Sequence, residues 1–371
     1  MSPPPPPGPP VPPGFPVPTG AGSGPQRRRR PWRWWLAGAV TAVVLIGAVF
    51  LALVRVSDQP ASPPSGWVPP SVLPTSSVIQ PEPGDRIAFT SDRTGNYEIF
   101  TMPAAGGPAR QMTRDPQYDS WWPRLAPNRR TIMFLRSPAG TLDRDATKVS
   151  LWVMGVDGSG PTQLRPPGTD GWTVQGHPEF SPDGRSVVMF GGSRINPQIW
   201  VTDALGRSPK KVTDRPGVNL DPVFAPDGKT ITFVGCPRAI CHEADYELYR
   251  IPVGGGTAQR LTTNTIRDQD PYYSPDGTRL AWLAQIETDG GVADLGVWDI
   301  MVGGPDGQGA RRLIGDDGVT SRPQWSADGR TIFTHRIPPG GDAFQLWKVR
   351  PDGSGLAELT DGPGSNEYPG T

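Results

Sequence analysis

Three histidines, His177, His242 and His335, are the side chains in this 371-residue chain best suited to hold a metal or carry a proton. No H-x-x-x-H spacing sets two of them on one face, and no G-x-S-x-G elbow offers a nucleophile. Other candidates stand within four residues before a proline: Asp119, Trp121, Trp122, His177, Asp221, Asp268, Asp270 and Arg322. Carboxylate, imidazole, guanidinium and indole together suit recognition of a partner or ligand. The plainer reading is that aspartates before a strand bond to nearby backbone amides and fix a loop. Carboxylate pairs for glycoside hydrolysis could be drawn among so many aspartates that drawing one decides nothing. No catalytic residue, metal or cofactor is expected. Gly-rich runs such as "VGGG" precede no helix, so they are turns and not phosphate loops. Cys236 and Cys241, in "CPRAIC", are the only cysteines. In an oxidising compartment they can close a small disulfide loop, with two free thiols as the alternative.

The elements that must carry these residues repeat. "RLAPNRRTIMF" (124–134), "EFSPDGRSVVMF" (179–190), "VFAPDGKTITF" (223–233), "YYSPDGTRLAW" (272–282) and "QWSADGRTIFT" (324–334) are variants of one phrase. Each follows a proline, and Pro123, Pro178, Pro222, Pro271 and Pro323 are 44 to 55 residues apart. A recurrence of that length means a repeat architecture. In each unit a short inner strand meets an Asp-Gly turn, where glycine accepts the positive φ of a tight hairpin. A β-branched second strand follows, then a third with an aromatic at a fixed place: Phe100, Trp152, Trp200, Tyr249, Trp298 or Trp347. Those aromatics read as packing between units. A Gly-rich turn and a short fourth strand ending in "QMT", "QLR", "KVT", "RLT", "RLI" or "ELT" complete the unit. Six such units arranged radially protect one another's edges. The first lacks an inner strand, and the tail "DGPGSNEYPGT" (361–371), with Tyr368-Pro369 placed like Trp122-Pro123, is expected to supply it, with only a stub after Pro369.

"SPDGR", the Asp-Pro before the inner strand and "SDRTGNYEIFTM" together resemble the WD40-like (PD40) repeats of the TolB-type six-bladed β-propeller family, over about residues 85–371. The implied fold is all-β, a six-bladed propeller of four-stranded antiparallel blades. "APNRR" at 126–130, "QLR" and "RLI" depart from the pattern. The resemblance implies binding: TolB members are periplasmic and contact peptidoglycan-associated lipoprotein and colicins. The same propeller precedes the catalytic domain of prolyl oligopeptidase-like peptidases, and some lyases with related propellers use histidines around a metal.

Ahead of the propeller, residues 1–33 read as a disordered proline-rich tail ending in an arginine cluster. Residues 34–55 contain nineteen uncharged residues (36–54), enough for a transmembrane helix. Trp32, Trp34 and Trp35 suit the membrane interface, and the arginine bias places the N-terminus in the cytoplasm and the propeller outside. A cleaved signal peptide is the rival. Residues 56–84 read as a Pro/Ser-rich linker. Acids and bases number 36 each, which gives no push toward nucleic acid.

Loops joining strands two and three, and those leading into each inner strand, share one face and carry all the length variation. The expectation is a membrane-tethered extracytoplasmic scaffold, its propeller monomeric, binding a protein or cell-envelope component there. The alternatives are a propeller lyase or hydrolase acting on an envelope polysaccharide or peptide, and a sensor relaying an outside signal through a partner.

Overall fold

The computed structural model describes residues 68, 70–73, 85–142, 145–238, 241–242, 245–287, 297–316 and 318–371. The expected tail, membrane helix and most of the linker lie outside the described residues. Among those described, no helix is long and apolar enough to cross a membrane.

Short antiparallel strands follow one another along the chain. β1 (Arg86–Ser91), β2 (Glu98–Pro103) and β3 (Arg110–Gln111) begin the first sheet. β4 (Tyr118–Leu125), β5 (Thr131–Pro138), β6 (Ser150–Gly155) and β7 (Thr162–Arg165) form the second. The third is β8 (Val174–Phe180), β9 (Ser186–Ser193), β10 (Asn196–Asp203) and β11 (Lys210–Lys211). The fourth is β12 (Val218–Phe224), β13 (Thr230–Cys236), β14 (Glu247–Pro252) and β15 (Gln259–Arg260). Two further meanders follow. One is β16 (Asp268–Tyr273), β17 (Leu280–Glu287), β18 (Val297–Gly303) and β19 (Arg311–Arg312). The other is β20 (Val319–Trp325), β21 (Ile332–Ile337), β22 (Gln345–Val349) and β23 (Ala357–Glu358). They form a single eight-stranded sheet, because Trp298 on β18 pairs in parallel with Val319 on β20. The sequence predicts six separate four-stranded sheets; among the described residues there are four, and one of eight.

The last strand, β24 (Asn366–Gly370), returns to β1, pairing Ser91 with Asn366, Thr90 with Glu367 and Ala88 with Gly370. Most of it precedes Pro369, so the closing strand is longer than the expected stub. Ile87, Phe89, Phe100 and Met102 of the first sheet pack against Phe333 of β21 and Leu346 of β22. First and last sheets are therefore in contact and the ring is closed. A larger apolar cluster runs from Val188 and Ile199 through Phe233 and Leu248 to Trp282, joining the third, fourth and fifth meanders. Most of the once-per-unit aromatics lie under an arginine: Arg93 over Phe100 at 5.0 Å, Arg136 over Trp152 at 4.6 Å, Arg215 over Tyr249 at 4.1 Å and Arg336 over Trp347 at 5.0 Å.

The repeated phrase explains itself locally. In "SPDGR" the Ser181 hydroxyl donates to Asp183 Oδ1 at 2.6 Å, Arg185 N donates to the same oxygen at 3.1 Å, and Gly184 takes φ +68°. In "APNRR" the Asn128 side chain accepts from Arg130 N at 2.8 Å, and Arg129 takes the left-handed place of the glycine at φ 57°. The recurrent terminal threonine also has a task. Thr113, Thr213, Thr262 and Thr360 accept from the third-strand amides of Ile99, Ile199, Leu248 and Leu346 at 2.8 to 2.9 Å. Where "RLI" lacks the threonine, Asp299 Oδ1 takes the Ile300 amide at 2.7 Å. The side-chain acceptor satisfies an amide that a two-residue fourth strand leaves unpaired.

Candidate channel site

The prolines expected to precede the inner strands lie inside them. An inner strand faces the channel with a free edge, the one place in a sheet where proline is tolerated. At each, the register slips: between Trp121 and Arg124, Gly176 and Glu179, Leu220 and Val223, Gln269 and Tyr272, and Ser321 and Gln324. The residue before each proline is left-handed: Trp122, His177, Asp221, Asp270, Arg322 and Tyr368, with φ between 47° and 54°. Such backbone costs a non-glycine residue of the order of 1–3 kcal/mol, and a following proline favours extended geometry instead. A bulge of this kind re-aims a side chain. With a like slip between Glu367 and Gly370, six bulges aim six side chains at one another.

Their contacts link all six. The Trp122 ring stacks on the His177 imidazole at 3.7 Å and lies 5.8 Å from the Tyr368 ring. The Arg322 guanidinium sits 3.3 Å over Trp122 and 4.9 Å over Tyr368. His177 Nδ1 hydrogen-bonds Asp221 Oδ1. Arg322 Nη1 lies 3.1 Å from Asp270 Oδ1, near enough for an ion pair but off the line of a hydrogen bond, so that Nη1 makes none. A second layer comes from residues just after the prolines. Arg124 pairs with Glu179 and donates from Nη2 to the Tyr272 hydroxyl at 2.6 Å; that hydroxyl in turn donates to Glu179. Between the layers is a cavity of about 10 Å³, lined by Trp122, His177, Glu179, Asp221, Asp270 and Tyr272 among others. That is room for about one water or one ion.

Burial dominates the electrostatics. It pushes His177 below the ordinary imidazole value, against the pull of Asp221, so the ring is neutral near pH 7. For Asp221, burial acts upward, but His177, Arg322 and Arg267 hold the carboxyl below the usual range. Burial raises Asp270 to about 6 against the pull of Arg322, and Asp221 adds to the rise. One ligand atom each from His177, Asp221 and Asp270 lie within 4.8 Å of one another, and these are the side chains here that could hold a metal ion.

The other sequence candidates are placed differently. Asp119 accepts from the amides of Tyr97, Gly140 and Leu142 and fixes a loop. Asp268 takes the Trp282 indole at 3.0 Å and Asn264 at 2.7 Å. Trp121 is 1% exposed, edge-on to Trp122, and faces no solvent. Trp122 is equally buried, so neither tryptophan reads a partner at the surface. His335 accepts from the Tyr368 amide and lies 5.3 Å from the Tyr368 ring. Cys236 and Cys241 are joined as a disulfide, Cα to Cα 6.1 Å. Sequence reasoning missed Arg124, Glu179 and Tyr272, and matched Tyr368 to Trp122 without taking it as a site residue. The available signal was position: the residues on either side of each repeat's proline.

Comparison with known proteins agrees with the geometry. Residues 162–295 match the family model described as the TolB beta propeller domain. The structure is similar to that of TolB from Acinetobacter baumannii, with a TM-score of 0.61 and 19% identity over 77% of this chain and 66% of that one. The fold is a β-propeller, and residues 162–295 are similar to the TolB type. The chain is also similar in fold to an oligogalacturonate lyase in complex with manganese, at a TM-score of 0.51 and 14% identity, covering 75% of this chain and 74% of that one. In sequence it is 26% identical to an uncharacterised protein of Agrobacterium fabrum over 211 residues, 54% of this chain. The match spans 64% of that relative's length.

Proposed function

We propose that this chain is a six-bladed, extracytoplasmic binding scaffold, tethered to a membrane through residues 34–55 and taking a protein or cell-envelope component on its variable-loop face. The observation that carries the reading is the filled cluster: the cavity of about 10 Å³ among His177, Asp221 and Asp270 holds no sugar ring or peptide. Binding is then a matter for the rim. Two exposed large apolar side chains, Tyr118 at the start of β4 and Ile195 in the β9–β10 turn, both lie on the variable-loop face by strand order. Six blades fit the repeated four-strand order of the eight-stranded sheet, whose halves meet at one pairing. The similarity to TolB supports a protein partner in the envelope. The test is capture from detergent-solubilised membranes with the full chain as bait. A stoichiometric envelope partner is expected, lost when Tyr118→Ala and Ile195→Asp are combined. Capture of nothing, or equal capture by the variant, overturns the reading.

A second reading, an enzyme acting on an envelope polysaccharide, is favoured by one observation: His177 converges with Asp221 and Asp270. The fold similarity to the manganese-containing lyase points the same way. It requires the filled cluster to open.

A further inference from the structure

We infer that the channel centre is a divalent-metal site, with His177, Asp221 and Asp270 as ligands and the ion clamping three successive inner strands, β8, β12 and β16. The inference is independent of whether the rim binds a partner or the channel performs catalysis.

Three observations converge. The first is the donor set. An imidazole and two carboxylates suit manganese or zinc over calcium, which prefers oxygen alone. A metal about 2.1 Å from each donor sets donor separations of about 3.0–4.2 Å. The three donor atoms already lie within 4.8 Å of one another, so an adjustment of under about an ångström completes the site.

The second is the void. The cavity is about 10 Å³, the size of one ion or water, and Glu179 joins the three ligands in its wall. The Trp122 indole lines the same cavity, and its buried Nε1 has no hydrogen-bond acceptor. A water completing the metal's coordination is an acceptor of the right size.

The third is charge. Asp221, Asp270 and Glu179 face Arg322 and Arg124 across the two layers. Arg124 answers Glu179, while Arg322 is paired with Asp270 and acts on Asp221 as well, together with Arg267. One guanidinium shared by two buried carboxylates is a thin counter-charge, and a cation in the cavity adds one in direct contact with both. Arg322 opposes the site electrostatically. Its guanidinium, however, is held over the Trp122 and Tyr368 faces, and Asp270 has a second oxygen to offer.

The test uses the full chain purified in detergent, stripped with chelator and titrated with Mn2+ alone (followed by electron paramagnetic resonance) and with Zn2+ alone. One ion per chain is expected, with a melting temperature several degrees higher when loaded. The isosteric Asp221→Asn and Asp270→Asn, and His177→Ala, should each weaken binding by more than about tenfold. Tyr118→Ala with Ile195→Asp should leave it unchanged, which separates this test from that of the rim. Failure to bind either ion overturns the inference. So does undiminished binding by the two asparagine variants with their circular dichroism intact.

Discussion

At the residue scale, backbone conformation rather than side-chain chemistry singles out the site. Trp122, His177, Asp221, Asp270, Arg322 and Tyr368 are of five residue types; what all six share is a positive φ and a following proline. A motif search by residue type passes over such a set, and only alignment of the repeats on their prolines exposes it. Five of the six were singled out in the sequence as charged or aromatic groups near those prolines; Tyr368 was legible too, by the match of Tyr368-Pro369 to Trp122-Pro123, but was not taken as a site residue. Asp119 and Asp268 looked equally good and serve as hydrogen-bond anchors, since sequence does not show which aspartate faces the channel. Left-handed backbone also appears where function has no claim on it. Arg129 occupies a glycine's place in its turn, and its only ion pair is a half-exposed one with Asp85 at 2.7 Å. Arg129→Gly is expected to stabilise by about 0.5–1 kcal/mol, the relief of a left-handed side chain less a weak surface pair. Urea denaturation reads it; a loss of stability would mean that the ion pair outweighs the backbone.

At the scale of elements, the closing strand has a pH dependence of its own. Glu367 of β24 is 2% exposed. Burial raises its carboxyl to about 8, with Asp92 adding to the rise, while the Tyr97 hydroxyl, Ser365 and Arg322 pull it down. The folded state therefore holds a proton that the unfolded chain releases near its ordinary value of about 4.5. The stabilising contribution is fully present below that value and is lost as pH rises through about 8. Glu367→Gln keeps the shape and removes the titration. The variant should match the wild type near pH 4 and exceed it by up to a few kcal/mol at pH 9. Denaturant midpoints of both proteins across that range decide it, and parallel curves would refute a protonated Glu367. Strand identity was legible throughout, because the "SPDGR" turn and the terminal threonine fix the second and third strands through their own hydrogen bonds. The inner strands were misjudged at their starts. Proline suggested a boundary, and an unpaired strand edge removes the reason for one.

For the molecule as a whole, repeat length gave the ring, and the return of the tail to β1 closes it. The joining of the last two meanders into one sheet was invisible in the sequence, since a single backbone pairing between Trp298 and Val319 leaves no trace in residue type. Removing residues 366–371 should take away the first sheet's inner strand and the Tyr368 member of the channel cluster together. Hydrogen exchange should then show β1 and its neighbours unprotected while the fourth sheet stays protected. Uniform protection would mean that packing of the first sheet against the last closes the ring without the strand.

The pairing of β24 with β1 also sets a schedule for synthesis. Among the described strands, β1 is made first and waits for β24, more than 270 residues later, before its edge is covered. Through that interval the nascent chain carries an open edge, a template for any extended neighbour. Maturation of this protein is thus timed by the arrival of its final five-residue strand.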